Sequence, residues 1–119
     1  MKEVIRPWGK FEELVLNGKC TVKILTIKPR QELSFQYHFK REELWYFLNK
    51  AIVCIGNSSK KVKIGDIIKI KKKQPHSIKA FRKEVKVLEV SFGNFDEKDE
   101  VRLEDKYGRV KLKSKNKKR

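Results

Sequence analysis

Residues 33–45 read LSFQYHFKREELW, and this stretch holds the side chains of the chain that are best suited to bind a metal. Ser34, Gln36 and His38 are spaced two apart, so on a β-strand they project from one face. Glu43 follows a turn-like segment and opens a second apolar run. We therefore predict a hairpin that brings Gln36 and His38 on one arm close to Glu43 on the other.

A second histidine completes the candidate site from far downstream. His76 lies in the segment KQPHS and begins another strand-like run. Imidazole, carboxylate and amide oxygen together suit a divalent metal with open coordination positions. A lone histidine on a strand is more often a polar residue that is hydrogen-bonded within the protein than a metal ligand. The presence of a second candidate, His76, argues against that simpler interpretation of His38. The predicted metal ligands are Gln36, His38, Glu43 and His76.

The composition indicates one strongly basic domain. The 119 residues include 31 Lys and Arg against 15 Asp and Glu, for a formal net charge of +16. This balance favours anionic partners such as phosphorylated metabolites, nucleic acid or a membrane surface. No aromatic-glycine RNA-binding signature and no helix-turn-helix pattern supports a nucleic-acid function. Residues 111–119 are mostly basic, so we predict a folded domain over 1–110 followed by a disordered tail.

The cysteines and the N-terminus indicate the cellular compartment in which the protein is expected. Cys20 and Cys54 form no CxxC pair and lie in apolar runs, where a buried free thiol is the ordinary state. The N-terminus carries no apolar signal segment, and no run approaches the length of a membrane span. We expect a soluble, cytoplasmic protein without a membrane partner.

Short strand-like segments separated by turns make up the rest of the chain. Asn17-Gly18 is a strong hairpin signal between predicted strands at 11–16 and 19–27. Residues 60–64 alternate charged and apolar side chains, which is typical of a half-buried strand. Trp8 is a predicted packing anchor for an extended N-terminal arm. Many short strands with regular turns predict an all-β sandwich or barrel.

Three motifs in order give the chain a specific resemblance to a known family. They are RPWG at residues 6–9, the central stretch at 33–45, and VRLEDKYGR at 101–109. Together they resemble the cupin domain of type II mannose-6-phosphate isomerases, which is usually the C-terminal part of bifunctional guanylyltransferase/isomerase enzymes. The resemblance implies an all-β cupin double-stranded β-helix. An exposed sheet edge in such a fold would allow a homodimer.

The same resemblance implies interconversion of mannose 6-phosphate and fructose 6-phosphate, within GDP-mannose and polysaccharide biosynthesis. The reaction needs an electrophile, a base and a group that binds the substrate phosphate. A divalent ion on the predicted ligands would be the electrophile. Zinc is expected first, with manganese, cobalt, nickel and iron as alternatives. No glycine-rich nucleotide loop precedes the motifs, so guanylyltransferase activity is not expected.

Arg41 is the predicted cation of the site, because it lies between His38 and Glu43. It would bind phosphate or stabilise an enediolate, and the simpler alternative is a surface arginine on a turn. Ser34 is counted with the substrate-binding residues.

A second group of candidates lies in the closing motif. Arg102 and Arg109 suit a phosphate, and Glu104 or Asp105 would relay a proton. The equal alternative is a clasp in which these arginines pair with these carboxylates and hold the last segment in place. The sequence does not identify the catalytic base.

The chain also departs from the family pattern. Gln36 takes the first position of the general cupin HxH motif, and Phe39, Lys40 and Leu44 stand where the family often has histidines. Two other functions therefore stay open. One is a non-catalytic cupin that binds a sugar or phosphate, and the other is a nucleotide-sugar ketoisomerase or epimerase of the same class.

Overall fold

The computed structural model describes residues 1–93 and 96–104. Within them the chain forms eleven β-strands and one short 3₁₀ turn, Glu97–Asp99. The strands are β1 Lys2–Arg6, β2 Gly9–Glu13, β3 Cys20–Ile27, β4 Phe35–His38, β5 Glu43–Phe47, β6 Ala51–Ile55, β7 Ser58–Val62, β8 Ile67–Ile70, β9 His76–Lys79, β10 Val85–Phe92 and β11 Glu100–Glu104. The predicted all-β class is confirmed. None of the described residues belongs to a helix long and apolar enough to cross a membrane.

Two antiparallel sheets build the body of the fold. One has the order β3-β10-β5-β8, and the other has the order β11-β4-β9-β6-β7. Strands β1 and β2 form a separate two-stranded sheet. Apolar side chains from both larger sheets meet in one core, so the sheets face each other as a sandwich.

Period-two alternation marks the side of these strands that faces the core. In β10, Val85 and Val87 are buried while Lys86 between them is exposed. Trp45 and Phe47 follow the same spacing in β5, are fully buried, and contact each other edge to face at 6.2 Å between ring centroids. Burying each large apolar side chain stabilises the fold by about 1.5–3 kcal/mol.

The predicted hairpin at Asn17-Gly18 is wrong. Strand β2 pairs with β1, and β3 pairs with β10. Asn17 does adopt a left-handed conformation, with φ of 53°, so the turn residue behaves locally as predicted. The half of β3 that carries Leu25 and Ile27 packs on the core beside β10, and this burial outweighs the local signal. Trp8 is 73% exposed at the β1–β2 turn, so its predicted role as a packing anchor is also wrong.

The predicted hairpin around residues 39–42 is wrong as well. Strands β4 and β5 lie in different sheets, so the chain crosses from one sheet to the other between them. This crossover still brings His38 and Glu43 together, because their side chains face each other across the interior rather than along a hairpin. The predicted tail at 111–119, its boundary at 110, Asp105 and Arg109 lie outside the described residues.

Candidate metal centre

Three of the four predicted ligands converge at one end of the sandwich. His38 ends β4, Glu43 begins β5 and His76 begins β9. One ligand atom from each lies within 4.8 Å of the others. All three side chains are at most 2% exposed. Such a buried set of two imidazoles and one carboxylate could hold a metal ion.

The orientation of His76 leaves a bare nitrogen lone pair facing a carboxylate oxygen. Its Nδ1–H donates to the carbonyl of Gln74 at 2.7 Å, which makes Nε2 an acceptor. Nε2 lies 3.6 Å from Oε1 of Glu43, and neither atom has a hydrogen-bond partner among the described residues. Two buried acceptors that face each other are unfavourable unless a cation lies between them. The donor set therefore fits a divalent cation.

Gln36 lies beside this group, on the same face of its strand as His38. Its Cα is the cross-strand partner of His76. Its side-chain oxygen accepts a hydrogen bond from Ser34 Oγ at 2.5 Å, and Ser34 is itself buried. An amide oxygen has two lone pairs, so Ser34 fixes the amide and leaves one lone pair for a metal.

Arg41 is buried inside the site and is only 4% exposed. Its Nε donates to Glu43 Oε2 at 2.8 Å and its Nη2 donates to His38 Nε2 at 2.8 Å. Its Nη1 donates to the carbonyl of Asp96 at 3.1 Å. This burial excludes the alternative of a solvated surface arginine. The guanidinium places a fixed positive charge directly on two of the predicted ligands.

The charge state of Glu43 follows from these neighbours. Burial alone raises the pKa of Glu43, whereas His76 and His38 in their protonated forms and the Arg41 guanidinium lower it, with a net fall. With His76 neutral and its lone pair toward Oε1, the lowering comes from the fixed charge of Arg41, whose Nε donates to Oε2 at 2.8 Å. Glu43 is therefore anionic at neutral pH, as a metal ligand must be.

Strand β11 adds Arg102 and an acidic residue that the sequence analysis missed. Glu100 and Arg102 are the Cα partners of His38 and Gln36. Arg102 Nη2 lies 2.7 Å from Glu100 Oε2, and Glu100 Oε1 lies 3.9 Å from His38 Nε2. Arg102 Nε is buried and has no hydrogen-bond partner among the described residues, which suits an incoming anion. The alternation Glu100, Arg102 in the sequence would have revealed this pair.

The structure does not bring Glu104 to the site. The register of β11 against β4 shifts between Arg102 and Glu104, so Glu104 pairs with Phe35. Phe35 precedes Gln36, so its side chain points to the opposite face of β4. Glu104 is exposed there. Arg102 pairs with Glu100 instead, so the predicted clasp between Arg102 and Glu104 does not form either.

Two further elements position the ligands, and no sequence signal indicated them. The Asp99 carboxylate accepts hydrogen bonds from the backbone N–H groups of Phe39 and Lys40, at 3.1 and 2.8 Å. Ser91 Oγ donates to Glu43 Oε2 at 3.2 Å. The segment that contains Asp96 and Asp99 therefore holds the turn that presents Arg41.

Sequence comparison places this chain beside one family over nearly its full described length. The family described as mannose-6-phosphate isomerase C-terminal matches residues 1–105. Mannose-1-phosphate guanylyltransferase ManC of Salmonella typhimurium is 36% identical over 112 residues, which is 92% of this chain and 23% of that protein. Alginate biosynthesis protein AlgA of Pseudomonas aeruginosa is 31% identical over 118 residues, 91% of this chain and 23% of that protein. The chain thus spans about a quarter of the length of these relatives. The predicted family resemblance is confirmed.

Structural comparison identifies the fold. A cupin protein from Bacteroides fragilis superimposes with a TM-score of 0.58 at 21% identity, over 68% of this chain and 72% of that chain. The two facing sheets are a cupin double-stranded β-helix, as predicted.

Proposed function

Because the chain belongs to the family described as mannose-6-phosphate isomerase C-terminal, we propose that it is a metal-dependent isomerase that interconverts mannose 6-phosphate and fructose 6-phosphate. The observation that carries the proposal is the pair of unpartnered acceptors, Glu43 Oε1 and His76 Nε2, inside a buried group that also contains His38. A sugar-phosphate isomerase needs such a site for its electrophile, and an electrophile acts most strongly where water is excluded.

In this proposal the metal ligands are Gln36, His38, Glu43 and His76. Zinc is the first choice for mixed nitrogen and oxygen ligands, and manganese, cobalt, nickel or iron are compatible with them. When bound, the ion supplies Lewis-acid polarisation of the sugar oxygens.

The chain's own cations have two separate tasks in the proposal. Arg41 is fixed by Glu43, His38 and Asp96, so it stabilises negative charge that develops on the sugar oxygens. Arg102, at the rim with a free buried Nε, binds the substrate phosphate. Arg109 remains a candidate phosphate ligand from the sequence, and the exposed position of Glu104 does not support a catalytic role for it.

The relatives' names suggest a metabolic setting. Two of the relatives are a mannose-1-phosphate guanylyltransferase and an alginate biosynthesis protein. We place this chain in the supply of GDP-mannose for polysaccharide synthesis. A cytoplasmic location and a homodimer remain predictions from the sequence.

A coupled isomerase assay on protein of known metal content tests the function. Gln36→Ala should lose metal and turnover together, because the amide is a ligand. Arg41→Ala should lower kcat by at least about 100-fold, the typical effect of removing one fixed electrostatic group. Arg82→Ala is the matched control, since Arg82 is an exposed arginine that contacts Phe81. Absence of turnover in metal-loaded wild-type protein would reject the proposal.

One observation favours a non-catalytic alternative. Arg41 Nη2 occupies the lone pair of His38 Nε2, and a cupin that uses Arg41 in place of a metal would bind sugar phosphate without isomerising it. Calorimetric titration of the metal-free protein with mannose 6-phosphate distinguishes the two. Tight binding together with no metal uptake would favour this alternative.

A further inference from the structure

A buried carboxyl group lies on the inner face of the four-stranded sheet, outside the predicted ligand set. Glu89 of β10 is 8% exposed. Its Oε2 accepts a hydrogen bond from Trp45 Nε1 at 3.1 Å. Trp45 is fully buried, and its ring lies edge to face against the His76 ring at 5.3 Å between centroids. The indole of Trp45 therefore lies between the Glu89 carboxyl group and the His76 ring of the candidate metal centre. Its N–H fixes the orientation of the carboxyl group.

The strand register places Glu89 one step deeper than Glu43 on the same face. In the β10–β5 pair, Ser91 is opposite Glu43 and Glu89 is opposite Trp45. Paired side chains share a face, and diagonal neighbours on antiparallel strands are about 7–8 Å apart. The carboxyl groups of Glu43 and Glu89 are therefore diagonal neighbours on the inner face of the four-stranded sheet.

Elimination among the described carboxylates also leads to Glu89. The buried acidic residues of the described segments are Glu43 and Glu89. Glu43 Oε2 is occupied by Arg41 and Ser91, and its Oε1 faces His76 as a candidate ligand atom. Glu100, at the rim, is paired with Arg102. Glu89 is the buried carboxyl group that the proposed metal chemistry leaves unused.

The surroundings of Glu89 support a proton-accepting role. Burial raises its pKa and the negative charge of Glu43 adds to this, while Trp45, Arg41 and the facing Lys23 of β3 oppose it, with a net rise to about 7. A carboxyl group that titrates near neutral pH can both accept and return a proton.

We propose that Glu89 is the base of the isomerisation, which makes this inference dependent on the proposed function. The Glu89 carboxylate removes the proton from C2 of open-chain mannose 6-phosphate. The electron pair of the broken C2–H bond forms the C1–C2 double bond, and the C1 carbonyl oxygen takes up the displaced pair. The carboxylic acid then returns the proton to C1, and the C2 hydroxyl proton passes to the neighbouring C1 oxygen as the C2 carbonyl forms. The products are fructose 6-phosphate and the original carboxylate.

The test uses the full chain, loaded with metal, and the variant Glu89→Gln. Glutamine keeps an acceptor for Trp45 but cannot take up the proton. We expect kcat to fall by at least about 100-fold, with KM changed less than about threefold and metal content equal to wild type. Incorporation of solvent deuterium at the substrate carbons, followed by NMR, should fall in the same proportion. Glu84→Gln is the matched control, because Glu84 is a half-exposed carboxylate just before β10.

Each outcome has a separate meaning. Wild-type kcat and deuterium incorporation in Glu89→Gln would overturn the role of Glu89 and leave the isomerase function standing. No turnover in metal-loaded wild type would reject the isomerase function, and the role of Glu89 with it. If Glu89→Gln does not fold or does not bind metal, Glu89→Asp decides the matter. It withdraws the carboxyl group by one methylene, so wild-type kcat in that variant overturns the proposal.

Discussion

At the scale of single residues, the site is a set of buried charges that compensate one another. Arg41 contacts both Glu43 and His38, and no reading of residues 33–45 alone could have assigned its burial. Its third partner is the carbonyl of Asp96, which comes from 55 residues further along the chain. The period-two spacing did predict that Gln36 and His38 share a face, because that spacing is a local property of any strand.

The prediction at the scale of single residues concerns Glu89 and the dependence of the free energy of unfolding on pH. The folded protein raises the pKa of Glu89 from 4.5 to about 7, so the folded state binds this proton more tightly than the unfolded state does. The contribution of Glu89 to the free energy of unfolding is therefore largest below pH 4.5 and declines as pH rises toward about 7. Glu89→Gln should lack this decline.

Urea unfolding of the metal-free protein at pH 5 and pH 7.5 measures the effect. The difference in midpoint between the two pH values should be smaller in Glu89→Gln than in wild type. Glu84→Gln, with its half-exposed carboxylate, should behave as wild type. An identical pH dependence in Glu89→Gln and wild type would mean that the folded protein does not perturb Glu89.

At the scale of elements, the sequence predicted where strands lie better than how they pair. Alternation and turn residues predicted strands at 19–27 and 60–64, which lie within two residues of the observed β3 and β7, because both signals are local. Pairing depends on which apolar faces share a core. Asn17-Gly18 therefore ended one segment without joining β2 to β3, and residues 39–42 became a crossover between sheets. His38, Glu43 and His76 still converge, because the crossover brings strand ends together from both sheets.

The crossover turn yields the element-scale prediction. Asp99 accepts hydrogen bonds from the amides of Phe39 and Lys40, so Asp99→Ala should destabilise the fold by about 1–3 kcal/mol. It should also speed hydrogen exchange at these two amides, which NMR can follow. Asp66→Ala is the matched control, since the Asp66 carboxylate accepts from the Lys63 amide in another turn. Unchanged exchange at residues 39 and 40 in Asp99→Ala would show that Asp99 does not hold this turn.

At the scale of the whole molecule, a basic chain encloses a nearly charge-balanced site. The net charge of +16 is carried largely by exposed lysines, whereas the buried charges at the centre include Arg41 and Glu43 in direct contact. Composition alone suggested anionic partners. It could not distinguish the exposed lysines from the buried charges of the site, because burial is a property of the folded chain.

Removal of residues 111–119 is the whole-molecule prediction. These residues carry six of the positive charges. Exposed charges are screened over about 8–10 Å at physiological salt, so the truncated protein should keep kcat within about twofold of the full chain. At low salt, its kcat/KM should depend less on ionic strength. Loss of turnover in a truncated protein with an unchanged circular-dichroism spectrum would place the tail in the site.

The central claim is that the buried histidine and glutamate side chains hold a catalytic metal. The most direct measurement is isomerase turnover of metal-free protein during titration with Zn²⁺, with the bound metal determined in each sample. Turnover should rise in proportion to bound metal and level off at about one ion per chain. Turnover that is already complete in metal-free protein, or that stays absent when the site is filled, would contradict the claim.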